Sequence, residues 1–104
     1  MRRPPSRRRR PVQSPSSETA AERLARLPGD VALHARPAGL FVRAAAGFEA
    51  DVVVSANGRD ANAKSILEIL ALGAEGGAEL RIVASGDDAA AAADRLADLV
   101  AELR

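Results

Sequence analysis

The hydrophobic positions of the chain repeat with two different periods, and each period predicts one type of element. Over residues 35–46 and again over residues 88–103, apolar side chains recur every three or four positions, as they do along one face of a helix. The first stripe consists of Ala38, Phe41, Val42 and Ala45. The second consists of Ala89, Ala92, Ala93, Leu96, Leu99, Val100 and Leu103. The pattern therefore predicts two amphipathic helices.

The residues that flank these stripes predict where the helices begin and end. Pro37 fits a first helical turn, where its missing N–H has no partner to lose, so the first helix is predicted to begin directly after His34. Gly47 is placed to end that helix with a positive φ. The last helix is predicted to run from Asp88 to Leu103, and the aspartates at its opening place negative charge at the positive end of the helix dipole.

A period of two predicts strands elsewhere. Residues 79–84 alternate charged and apolar side chains, which is typical of a strand with one buried face. Residues 51–56 are rich in valine and precede Asn57-Gly58, a strong hairpin signal. Residues 59–62 are therefore expected to pair back on them.

Two shorter segments complete the pattern. Ser65 and Glu68 have the spacing of a capping box, which opens a short helix through Ala71 that Gly73 can stop. Residues 19–27 leave two alternatives open, because their alanine content favours a helix whereas alternating leucine and arginine permits a strand. Elements in this order suggest an antiparallel sheet covered on one face by helices, an α+β sandwich.

Composition excludes several kinds of chemistry. The 104 residues include no cysteine and one histidine, which rules out disulfide scaffolds, zinc–cysteine sites and multi-histidine metal sites. We accordingly expect no metal and no cofactor. No run of about 20 apolar residues predicts a membrane span, and no apolar run of about 7 follows the N-terminal charges as in a secretory signal. A cytoplasmic location is expected.

The charge is divided unevenly between two segments. Residues 1–17 contain six arginines, several prolines and serines, and no acid, whereas the remainder contains 9 basic and 14 acidic residues, a net charge of −5. Since such a segment cannot bury enough apolar surface to offset its ordering entropy, we predict that residues 1–18 are disordered and that residues 19–104 form one domain. The arginines could contact phosphates of nucleic acid or membrane, or belong to a solvated extension or an incorrectly assigned start. The remaining residues supply neither aromatic stacking platforms nor a basic face, so nucleic-acid binding is not expected.

The segment Leu33-His34-Ala35-Arg36-Pro37-Ala38 contains the parts of an anion site. It places an imidazole at a helix N-cap, and the first-turn amides, those of Ala35 and Arg36, carry about half a positive charge as part of the helix dipole. The Arg36 guanidinium adds a planar, permanent charge. A neutral histidine nitrogen is a competent nucleophile toward phosphorus. From position alone, an ordinary surface histidine remains the alternative.

This segment resembles the active-site signature of HPr, the histidine-containing phosphocarrier family of the bacterial phosphotransferase system. Further landmarks of the family follow in order and at its spacing, so that the resemblance covers about residues 20–104. These landmarks are Gly47-Phe48-Glu49-Ala50-Asp51-Val52, Asn57-Gly58, Ala63-Lys64-Ser65-Ile66, Leu72-Gly73 and Ala84-Ser85-Gly86 before an acidic helix.

The resemblance implies a fold and a role. The fold is an open-faced βαββαβα sandwich with a four-stranded antiparallel sheet and three helices on one face, which makes the first ambiguous segment a strand. His34 would be phosphorylated on its δ1 nitrogen by Enzyme I, with phosphoenolpyruvate as the original donor, and Arg36 would help to hold the phosphoryl group. His34 would then pass it to Enzyme IIA partners in sugar uptake. The chain would be a monomeric relay rather than a free-standing enzyme.

The resemblance also assigns roles to the short helix. Ser65 matches a regulatory serine that a dedicated ATP-dependent kinase phosphorylates in many relatives, although a plain helix N-cap is the alternative. Ile66, Leu67 and Leu70 would form the partner-docking surface together with the histidine loop. Ordinary core packing is the alternative for these three residues, most readily for Leu67. Glu68 departs from the family, in which many members have a neutral or basic residue at this position.

Two other functions are compatible with the sequence. One is a regulatory HPr-like binding module that acts through Ser65, with His34 as a vestige, although the presence of both His34 and Arg36 argues against it. The other is a carrier in a nitrogen-regulatory or dihydroxyacetone-kinase branch.

Overall fold

The computed structural model describes residues 19–104, and the predicted disorder of residues 1–18 lies outside the described part of the chain. Seven helices and strands follow one another in the order βαββαβα. They are β1 (Ala20–Arg26), α1 (Ala35–Ala46), β2 (Asp51–Ala56), β3 (Arg59–Asn62), α2 (Ile66–Ala71), β4 (Glu79–Ser85) and α3 (Ala89–Glu102).

The four strands form one antiparallel sheet in the order β1-β4-β2-β3. The last strand in the chain, β4, lies inside the sheet and pairs with β1 on one side and β2 on the other. Its side chains alternate as predicted, with Leu80 and Ile82 buried and Glu79 and Arg81 exposed. The helices cover the buried face, so the predicted open-faced sandwich is confirmed.

The alanine-rich segment before residue 27 is a strand, so the helix that its composition favours is wrong. Its backbone pairs with β4 from Ala20 opposite Ser85 to Arg26 opposite Glu79. Ala25 is buried on the helix-covered face, whereas Leu24 on the open face is 60% exposed. Pairing along a whole strand overrides the weak helix propensity of alanine.

The predicted stripe of α3 faces the sheet. Five members of the stripe are fully buried, namely Ala89, Ala92, Ala93, Leu96 and Val100. Leu99 is half-buried, and Leu103 is buried just after the helix ends. The three alanines add little bulk, so this helix packs closely against β1 and β4. The largest fully buried side chain is Phe41 of α1, which anchors that helix in the same core.

Gly47 ends α1 as predicted, but the predicted positive φ is wrong. Its φ is −77°, and its N–H donates to the carbonyl of Ala44 at 3.1 Å. The chain therefore leaves the helix through one tightened right-handed turn, which needs no left-handed residue. A positive φ does occur after α2, where Gly73 has φ 64°.

Asp88 occupies the N-cap position of α3, but its side chain does not bind an N–H group of that helix. Its carboxylate instead accepts hydrogen bonds from the backbone N–H groups of Glu49 at 2.9 Å and Ala50 at 2.8 Å, in the loop between α1 and β2. Nearby, Gly86 has φ 131°, and a Cβ atom there would lie 3.0 Å from the Cα of Ala50. The hydrogen bond from Glu49, assisted by that from Ala50, lowers the pKa of Asp88 below its ordinary value.

We predict that Asp88→Asn lowers stability at neutral pH and reduces the loss of stability in acid. A carboxyl whose pKa is lowered by folding stabilises the protein above its unfolded-state pKa, and this stabilisation is lost as the pH falls through the folded-state pKa. Urea unfolding between about pH 7 and about pH 3 measures both effects. Asp87→Asn is the matched control, because Asp87 forms no hydrogen bond or ion pair within residues 19–104. Identical pH dependence in the wild type and Asp88→Asn would contradict the prediction.

Candidate functional site

His34 is the N-cap of α1, as the position of Pro37 predicted. Its backbone is extended, with φ −95° and ψ −167°, and its carbonyl accepts the N–H of Ala38 at 2.9 Å. The imidazole is exposed and makes no capping hydrogen bond. The ring is therefore accessible to another protein while its backbone is fixed at the helix start.

The first turn of α1 offers unused donors next to this ring. Among residues 19–104, no acceptor binds the N–H of Ala35 or Arg36, and Pro37 has no N–H to offer. The first turn also contains no acidic residue. The exposed Arg36 guanidinium forms no ion pair within the described chain. Two amides, a helix dipole and a guanidinium can thus all act on an anion attached to His34.

A shallow depression connects His34 to the end of α2. It is lined by Ala32, Leu33, His34, Leu70, Gly73, Ala74 and Glu75. The N–H of Leu33 donates to the carbonyl of Ala74 at 2.9 Å. This bond joins the histidine loop, residues 27–34 between β1 and α1, to the segment that follows α2. The structure therefore places Leu70 beside the histidine, although the two are distant in sequence.

The N-terminus of α2 is capped by Ser65, whose Oγ accepts the N–H of Glu68 at 3.3 Å. The second half of the predicted capping box does not form. The N–H of Ser65 donates to the carbonyl of Asn62 at 3.0 Å, and the Glu68 carboxylate accepts the N–H of Asn62 at 2.8 Å instead. Ser65 is half-buried, whereas Glu68 is exposed.

Most apolar side chains of α2 are exposed. Ile66, Leu67 and Leu70 are 38%, 76% and 36% exposed, and only Ile69 is buried. Core packing of Leu67, the alternative left open by the sequence, is therefore wrong. The hydrophobic pattern also gave no signal for Leu40 of α1, which lies one turn after Arg36 and is 43% exposed. We call the exposed side chains of Ile66, Leu67 and Leu70 on α2 the apolar patch.

Two negative findings apply to the described residues. No group of three or more His, Cys, Asp or Glu side chains within residues 19–104 is placed to hold a metal ion. None of the helices described above is long and apolar enough to cross a membrane.

The chain has an open-faced βαββαβα sandwich and an exposed histidine at the start of its first helix. This combination is typical of the small histidine phosphocarriers. The chain belongs to the HPr family, because the family model described as the PTS HPr component phosphorylation site matches residues 15–102. HPr is the phosphocarrier of the phosphotransferase system.

Individual relatives agree with this assignment. The phosphocarrier protein HPr of Streptomyces coelicolor is 49% identical over 71 residues, which are 67% of this chain and 76% of the relative. The crystal structure of HPr from Bacillus anthracis superposes with a TM-score of 0.74 at 36% identity, covering 78% of this chain and 96% of that one. The Bacillus subtilis catabolite repression protein Crh, described as a dimer with a swapped domain, gives a TM-score of 0.63 at 38% identity and covers 72% and 88%.

We predict that Ser65→Ala lowers the free energy of unfolding by about 1 kcal/mol, because it removes the N-cap acceptor of α2. Ser65→Asp should retain most of the stability, since aspartate is an equally good N-cap. Urea unfolding of the three proteins measures the difference. Equal stability of Ser65→Ala and the wild type would show that the cap contributes nothing.

Proposed function

We propose that the δ1 nitrogen of His34 accepts a phosphoryl group from Enzyme I and passes it to Enzyme IIA partners in sugar uptake. The imidazole lone pair attacks phosphorus while the bond between phosphorus and the donor group of Enzyme I breaks, so one N–P bond forms as the donor's bond to phosphorus is lost. Phosphoenolpyruvate is the original donor. The second transfer reverses the step, with the Enzyme IIA group as nucleophile.

The observation that carries this proposal is the pair of unused amides beside an exposed imidazole. The N–H groups of Ala35 and Arg36 have no acceptor within residues 19–104, and no carboxylate of the first turn competes for them. A phosphoryl group on His34 brings negative charge to the positive end of α1, where it is stabilised by hydrogen bonds to charged oxygens. Arg36 adds a permanent positive charge on the same turn.

The apolar patch supports the docking role proposed for Ile66, Leu67 and Leu70. These side chains are exposed on the helix whose end adjoins His34. A small apolar surface next to the reacting group suits complexes that form and separate quickly, as a relay between two enzymes requires. We propose a monomer in the cytoplasm as the working form, because both enzymes must reach the same surface in turn.

A regulatory role for Ser65 is the second candidate, and the similarity to Crh favours it. A kinase that phosphorylates the hydroxyl would add up to two negative charges beside the apolar patch. The new phosphate would lie close to Glu68, because the backbone N–H of Glu68 donates to the Ser65 hydroxyl. We propose that this charge would weaken docking of a partner that approaches with its own acidic groups.

We predict that the purified protein gains the mass of one phosphoryl group when it is incubated with its cognate Enzyme I and phosphoenolpyruvate. The adduct should be labile in acid and stable in base, and intact-mass measurement detects it. His34→Ala is the control and should remain unmodified. An unchanged wild-type mass with an active Enzyme I, or modification of His34→Ala, would contradict the proposed function.

We predict that Arg36→Ala slows phosphotransfer about tenfold or more, since a charge-assisted hydrogen bond to phosphate contributes about 1.5 to 3 kcal/mol. Its stability should rise slightly or stay the same, because a cation at a helix N-terminus costs about 0.3 to 1 kcal/mol. Transfer rates and melting temperatures of both proteins separate the effects. Arg43→Ala, at the other end of α1, is the matched control. Equal rates for Arg36→Ala and the wild type would remove Arg36 from the site.

A further inference from the structure

The position of α2 depends on the hairpin formed by β2 and β3. With six residues, α2 is too short to be stable without tertiary contacts. At its N-terminal end, the Glu68 carboxylate accepts the N–H of Asn62 at 2.8 Å. At its C-terminal end, Arg59 Nη1 donates to the carbonyl of Ala71 at 3.0 Å. Both partners belong to β3.

The hairpin turn provides a further contact. Asn57 Nδ2 donates to the carbonyl of Leu72 at 3.0 Å and to that of Gly73 at 3.3 Å. These carbonyls follow the last helical turn, where backbone acceptors have no intrahelical donor. Asn57 therefore binds the chain at the point where it leaves α2.

The same segment also binds the histidine loop. The residue after Gly73 is Ala74, whose carbonyl accepts the N–H of Leu33 at 2.9 Å, immediately before His34. Leu33, Leu72 and Ala74 are all buried. A continuous path of hydrogen bonds and buried residues thus runs from the Asn57 side chain to the backbone that presents the imidazole.

Asparagine meets two requirements at position 57 that no other common turn residue meets together. Its φ is 55°, a left-handed conformation that asparagine and glycine tolerate better than other residues. Glycine could form this turn with Gly58, at φ 75°, but it has no side chain to donate a hydrogen bond. Aspartate could also adopt the turn, but its carboxylate would face two carbonyl oxygens.

We propose that Asn57 is a positioning residue that fixes the apolar patch of α2 relative to His34. The inference rests on the proposed phosphocarrier function and extends it to a residue that does not touch the phosphoryl group. Asn57 acts through the segment of residues 72–74. When its hydrogen bonds are lost, α2 and the histidine loop no longer hold one fixed arrangement, and a partner must order them on binding.

Two substitutions remove the donor while they retain the left-handed turn: Asn57→Gly and Asn57→Asp. Gly58→Ala is the matched control. The added Cβ meets nothing within 4 Å, but alanine is strained at φ 75°, so the substitution weakens the hairpin. It leaves the Asn57 side-chain amide in place. The first measurement is hydrogen exchange of the Leu33 amide, with the Ile82 amide of β4 as the internal reference for global stability. The second is the KM and kcat of each protein as the substrate of Enzyme I.

We expect both Asn57 variants to raise Leu33 exchange relative to Ile82 and to raise KM about fivefold, the effect of roughly one net hydrogen bond, with kcat little changed. Gly58→Ala should match the wild type both in the exchange of Leu33 relative to Ile82 and in KM. Parallel changes at Leu33 and Ile82, an unchanged KM in both Asn57 variants, or the same rise in Gly58→Ala would overturn the inference. If the wild type is not phosphorylated at all, the proposed function fails, and Leu33 exchange alone then decides whether Asn57 fixes the histidine loop.

Discussion

The site depends on the two amides at the start of α1, which have no acceptor within residues 19–104. Unpaired backbone N–H groups are costly when they are buried, so this helix must begin at the surface, where water or an anion can bind them. Phe41 and Ala45 are fully buried, so the body of the helix remains fixed while its first turn stays exposed. In the relay that we propose, a phosphoryl group on His34 would replace water at these amides, and the exchange would be reversible because the site is open. A relay needs this balance, since a phosphate that is bound too tightly would not be passed on.

The rest of the fold keeps this exposed turn in a fixed position relative to the surface beside it. Small alanines on α3 and β1 bring helix and sheet together, and the Asp88 carboxylate joins the turn before α3 to the loop after α1. The hairpin of β2 and β3 holds α2 at both ends. The apolar patch is consequently presented by a helix that could not form alone. Exposure of this apolar surface to water is unfavourable in free energy, and a partner that covers the surface removes that cost.

Local signals in the sequence predicted most of the elements, and the errors involve contacts between distant residues. Pro37 gave the start of α1, Asn57-Gly58 gave the hairpin, and Ser65 gave the start of α2, because each signal acts within a few residues of its own position. The alanine-rich composition of β1 favoured a helix, which is wrong, because the strand's partner β4 lies more than 50 residues later in the chain. The spacing of apolar residues could not show that Asp88 binds a loop 38 residues earlier, or that the Asn57 side chain binds the end of α2. The docking and phosphoacceptor roles came from the family resemblance, since one exposed histidine is by itself uninformative.

We propose above that the start of α1 holds a phosphoryl group on His34. Nuclear magnetic resonance of the isotope-labelled protein, before and after phosphorylation, tests it directly. We expect phosphorus coupled to the δ1 nitrogen of His34, together with downfield shifts of the Ala35 and Arg36 amide protons as they begin to donate to charged oxygens. Phosphorus on the ε2 nitrogen, or amide protons of these two residues that do not change, would contradict it.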